Sequence, residues 1–153
     1  MPSMALDVYR EGIELVARGE LIVSQFYTLF AEQFPEYAPF WSTLTTDEQK
    51  HARWFQEFLQ FRIDRKHDLP EYLPVLLRAT VDALEDSVLE AAVMALTLRQ
   101  GLEIALRAEL IFCAHLPSEL LRAAPVEAQP TLKIIGEEEQ RHRQRLQALL
   151  ALQ

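Results

Sequence analysis

Two of the four histidines in this chain sit three residues after a glutamate, as Glu48–His51 and Glu139–His142. On a helix an i, i+3 pair leaves one face, with a rise of about 4.5 Å between its members. From there the carboxylate can bridge two metal ions while the imidazole ligates one of them. An upstream stretch supplies a further candidate for each pair, Glu20 in the first half and Glu103 in the second. Four carboxylates and two imidazoles facing the core of a four-helix bundle make the ligand set of a di-metal carboxylate centre, with Glu20 and Glu103 each capping one metal. Mixed oxygen and nitrogen donors suit iron or manganese and leave the choice between them open.

A lone Glu-x-x-His is a weak signal, because such pairs usually form solvated helix contacts. The argument rests on repetition. Glu48 to Glu139 and His51 to His142 each span 91 positions, and Glu20 to Glu103 spans 83. A diverged repeat of one helical hairpin would place the extra eight residues in the proline-containing connection before the last helix. Glu109 competes with Glu103. It lies among Leu102, Ala105, Phe112 and Cys113, where an unpaired buried carboxylate is costly. Glu103 lies among Arg99, Gln100 and Arg107. Local burial favours Glu109, and the repeat geometry favours Glu103, which is the residue expected at the site. Tyr27 reads either as a core tyrosine or as a hydroxyl that orients a ligand carboxylate. Glu137 and Glu138 are assigned to other faces, with Glu137 pairing Arg141. His67 and His115 read as surface or helix-end histidines, and Cys113 as a small buried apolar residue. Trp41, Trp54, Phe55, Phe58 and Phe61 read as core or dimer contact.

Four helices must position these residues. Apolar periodicity predicts the first over Leu6–Gln33, with Ile13, Val16, Ala17, Val23, Tyr27 and Phe30 on one stripe. The second is expected over Phe40–Arg62, the third over Leu84–His115 and the fourth over Leu132–Leu150. Asp64 to about Asp82, with Pro70 and Pro74, reads as less regular, and a short helix is expected around Ser118–Ala123. The short first link makes the first two helices antiparallel neighbours. About 20 residues between the second and third can span a helix of roughly 33 Å, which permits one long crossover and leaves a plain up-down-up-down bundle open as the alternative. The fold class expected is all-α, a ferritin-like four-helix bundle of two hairpins, in one domain over residues 1–153.

The totals agree. Half of the 153 residues are apolar and glycine is scarce, which favours a helical core. A formal charge of −8 argues against nucleic acid as a partner. One cysteine makes neither an intramolecular disulfide nor a four-thiolate iron site. Acidic residues early in the chain argue against a signal peptide, and no membrane span is expected. A cytoplasmic location is the expectation.

On these residues the chain resembles the rubrerythrin branch of the ferritin-like superfamily. The likeness runs through Glu20, Phe26-Tyr27 and Asp47-Glu48-Gln49-Lys50-His51, then Glu103 and Glu137-Glu138-Glu139-Gln140-Arg141-His142. It implies a di-iron centre that reacts with hydrogen peroxide or dioxygen, or oxidises ferrous iron. By the match, Glu20 and Glu103 are terminal ligands, Glu48 and Glu139 bridging ligands, and His51 and His142 terminal nitrogen ligands. Three departures stand out. There is no rubredoxin part, so a separate electron-donor protein is expected. The extra glutamate of the family, one turn beyond the helix-three ligand, corresponds to Leu106. The counterpart of Tyr27 after Glu103 is Leu110. A homodimer is expected. Two other readings compete: a metal-free or structurally metallated bundle acting as a dimerising or partner-binding module, and a di-iron oxygenase acting on an organic substrate.

Overall fold

The structure, a computed structural model, describes residues 4–61, 70–113 and 124–153. Helix α1 (Met4–Gln33) buries all six residues of its expected stripe. It stops two residues before Pro35, and a single 3-10 turn (Pro35–Tyr37) leads into α2 (Ala38–Phe58). Pro39 falls at the start of α2, where its missing N–H would be unpaired in any case. So short a link makes α1 and α2 antiparallel.

The next part of the chain departs from expectation. The stretch read as irregular, together with the first part of the expected third helix, forms α3 (Tyr72–Val93). Pro74 does not break it, because it sits in the first turn among N–H groups that lack helical partners. The break lies later. Met94 is extended, with φ −95° and ψ 141°. Thr97 then starts α4 (Leu98–Cys113) with a capping box: its N–H donates to Gln100 Oε1 at 2.9 Å, and its Oγ1 accepts the Gln100 N–H at 3.2 Å. The last helix, α5, spans Gln129–Ala151, with Pro130 in its first turn.

Side-chain pairs give the helix directions. Glu11 pairs with Arg78, Arg18 with Glu85 at 2.6 Å, and Gln33 donates to the Ala91 carbonyl at 3.2 Å, so α3 runs parallel to α1. Gly101 lies beside Phe34 and Phe112 beside Gly19, so α4 runs opposite to α1. Asp47 meets His142 and Lys50 meets Glu138, so α5 runs opposite to α2. Helices α2 and α4 therefore point the same way, and the chain must return along the whole bundle between them. Helix α3 makes that return, packed on α1, and its 22 residues cover about 33 Å. The molecule is an all-α ferritin-like bundle of two hairpins, α1–α2 and α4–α5. Its long crossover is a helix rather than an irregular link.

Trp41 anchors the first hairpin. It is fully buried and packs against Tyr27, Phe30 and Phe40 at ring-centroid distances of 5.8, 5.1 and 5.0 Å. No helix among the described residues is long and apolar enough to cross a membrane. The expected helix around Ser118–Ala123, the expected helix ends at Arg62 and His115, His67, and the side chain of Cys113 lie outside the described residues.

Candidate metal centre

Each of the four bundle helices sends carboxylates, or a carboxylate and an imidazole, to one point in the interior. Helix α1 brings Glu20, α2 brings Glu48 and His51, α4 brings Glu109, and α5 brings Glu139 and His142. All six are buried, none more than 3% exposed. They form two overlapping groups of four. In Glu20, Glu48, His51 and Glu139, one ligand atom from each lies within 4.8 Å of the others. The same holds for Glu48, Glu109, Glu139 and His142. Glu48 and Glu139 belong to both groups.

Glu103 is not among these residues. Its side chain is 45% exposed and pairs with Arg99 at 3.1 Å. Six residues along a helix turn about 240° in net rotation, so Glu103 and Glu109 cannot share a face. Glu109 takes the place expected for Glu103, at 89 positions from Glu20. The apolar stripe around Glu109 was the sequence signal that pointed to it. In the corrected register the residue one turn beyond the helix-three candidate is Phe112, so that position still offers no carboxylate.

Both imidazoles are oriented alike. His51 Nδ1 faces inward, 2.9 Å from Glu139, 3.3 Å from Glu48 and 3.9 Å from Glu20. His142 Nδ1 faces Glu48 at 2.8 Å and Glu109 at 3.6 Å. The outward Nε2 atoms meet carboxylates of the opposite hairpin: His51 meets Glu138 at 2.7 Å, and His142 meets Asp47 at 3.1 Å. An Nε2–H donated outward leaves the Nδ1 lone pair for a metal and fixes the ring. Asp47 and Glu138 were not singled out as site residues from sequence, and Glu138 was assigned to another face. The available signal was the acidic residue that precedes each shared glutamate. Tyr27 is fully buried in the core and donates its hydroxyl to Glu109, so it has features of both readings.

The electrostatics of the cluster suit a cation. Burial, and then the charge of Glu48, hold Glu20 well above the usual carboxylate range. Burial and the neighbouring Glu139 and Glu109 do the same to Glu48. Burial, with Glu109 and Glu20 nearby, raises Glu139 to about 8. Burial also acts to raise Glu109, but the His142 imidazole 3.6 Å away, the neighbouring Glu139 and the Tyr27 hydroxyl outweigh it and hold this carboxyl down to about 2. Burial disfavours the His51 cation, yet its carboxylate partners prevail and raise it to about 9. Glu20 Oε2, Glu48 Oε1, Glu109 Oε2, Glu139 Oε2 and His142 Nδ1 are buried without a hydrogen-bond partner. His142 Nδ1 and Glu48 Oε1 are close but out of line for a hydrogen bond. Five such buried atoms converging at one place are expensive to leave unpaired, and a cation would join them. Four carboxylates also match the charge of two divalent ions with neutral imidazoles. The residues present fit a di-metal group.

A family model described as rubrerythrin matches residues 13–150. The chain belongs to the rubrerythrin family. No curated protein sequence and no solved structure shows significant similarity to it. The matched span of this rubrerythrin-family chain includes all six converging residues together with Tyr27, Asp47 and Glu138.

Proposed function

We propose that this rubrerythrin-family protein is a non-haem di-iron oxidoreductase that reacts with hydrogen peroxide or dioxygen, or oxidises ferrous iron. The observation that carries the reading is the pair of buried four-residue groups sharing Glu48 and Glu139. Glu20 and His51 would hold one ion, Glu109 and His142 the other, and Glu48 and Glu139 both. Two ferrous ions held there would supply two reducing equivalents on becoming ferric, the number that converts one hydrogen peroxide and two protons into two waters. The chain does the rest. Tyr27 orients Glu109, whereas Asp47 and Glu138 hold the imidazoles with Nδ1 inward. Trp41, Phe30 and Phe26 are buried among the same helices and keep the interior apolar. One cysteine cannot build a four-thiolate iron relay within these 153 residues, so reducing equivalents would come from outside them, and a separate electron-donor protein is the proposed source.

The test is elemental analysis of protein expressed with added iron, beside His51→Ala and His142→Ala variants. About two iron or manganese atoms per chain are expected, with occupancy lost in both variants while helical content survives. Peroxide consumption and ferrous oxidation by the loaded protein then separate the two reactions. Metal content indifferent to both substitutions would leave a helical partner-binding module instead.

A further inference from the structure

The orienting carboxylates of the two imidazoles converge on a single cation. Lys50 Nζ lies 3.3 Å from Asp47 Oδ1 and 3.0 Å from Glu138. Asp47 in turn holds His142, and Glu138 holds His51. The two hairpins are thus joined at the edge of the cluster by one ammonium group, whose Nζ lies over the Trp54 ring, 5.1 Å from its centroid. Trp54 itself lies against the His51 ring, with centroids 6.0 Å apart. The repeat does not supply a second such cation. Arg141, 91 positions after Lys50, is 62% exposed and among the described residues reaches Glu138 at 3.9 Å.

We propose that Lys50 is a positioning residue shared by both halves of the centre, holding Asp47 and Glu138 in place so that both histidines keep Nδ1 turned to the metals. The inference rests on the di-metal reading above. Without Lys50 the two carboxylates repel each other across the seam and turn toward water, and both rings lose their outer anchor. Loss of a positive charge near the site would by itself favour cation binding. Lys50 is 28% exposed, however, so that effect is screened, and the loss of orientation prevails.

Cobalt(II) titration of the metal-free protein, followed by calorimetry and ligand-field absorption, tests this. Wild type should take up two ions per chain. In Lys50→Met both dissociation constants should rise about 10- to 100-fold, with altered absorption bands and unchanged helical content. Asp47→Asn should weaken chiefly the His142 position and Glu138→Gln chiefly the His51 position. Lys50→Arg should restore both affinities to within a few-fold, a rescue that loss of packing would not give. Lys50→Gln serves the same comparison if the Met variant folds poorly. Wild type that binds two ions beside Lys50→Met and Lys50→Gln variants of equal affinity overturns the inference alone. An effect confined to one ion overturns it too. Wild type that binds no cobalt overturns the di-metal reading and the inference with it.

Discussion

At Glu109 the decisive contest is between burial and charge. A carboxylate in an apolar stripe is tolerated only when its partners outweigh desolvation, and Tyr27 and His142 do so here. Glu103 on the same helix has only a surface partner. Glu109→Gln is therefore expected to lose about half of the bound metal. Glu103→Gln should keep all of it and change stability by no more than about 0.5 kcal/mol, as for an exposed pair. Metal analysis of the two variants checks this, and equal loss in both would refute the placement of the site. Burial around the two glutamates was already legible in the sequence. The spacing of the diverged repeat misled, because the two hairpins differ by two residues between Glu20 and Glu109 relative to the 91 elsewhere.

At the scale of helices, the approach of α1 to α4 is set by Gly19, one residue before Glu20. A Cβ there would lie 1.9 Å from the Phe112 ring. Phe112 is 1% exposed, so its ring would have to shift within the packed interior to make room. In an open helix Gly→Ala stabilises by about 1 kcal/mol. At Gly19 the clash wins, so Gly19→Ala is expected to lower the melting temperature and the metal content together by pushing α4 away. Gly136 on α5 is the contrast, since a Cβ there meets nothing within 4 Å. Gly136→Ala should raise the melting temperature by about 2–4 °C and leave metal binding intact. Thermal melts of the two variants, with metal analysis, decide both expectations. The break between α3 and α4 was legible in Thr97-x-x-Gln100, but long apolar periodicity on either side hid it. Pro74 drew the boundary to the wrong place, because proline breaks a helix interior and not its first turn.

For the whole molecule, the buried centre sets the pH dependence of the metal-free fold. Glu20 and Glu48 sit well above the ordinary range and Glu139 at about 8. Their contribution to stability is complete below the unfolded value of about 4.3 and is lost as pH rises through the folded value. His51, at about 9, acts in the same direction, complete below about 6.5 and lost as pH rises through 9. Glu109 acts the other way, but its window lies between about 2 and about 4.3. From about pH 5 to about pH 9 these groups therefore agree in sign, and the metal-free melting temperature should fall by several degrees. Two divalent ions displace the protons and remove the conflict, so saturating metal should flatten the profile. Melting curves with and without metal provide the check, and a metal-free profile that rises over this range would contradict the charge balance described.

Helix content, the hairpin repeat and five of the six converging residues follow from the sequence. Apolar periodicity and the Glu-x-x-His spacing are local, and a helix places residues three apart on one face wherever it sits. Contacts between helices are not local. Nothing in the spacing of α4 says which of its glutamates faces α1. Nor does spacing say that His51 finds its outer partner in Glu138, 87 residues away, or that α3 is the crossover rather than part of a site helix. Those outcomes depend on helix directions and close approaches, which Gly19, Gly101 and the Thr97 cap permit only once the four helices are packed together.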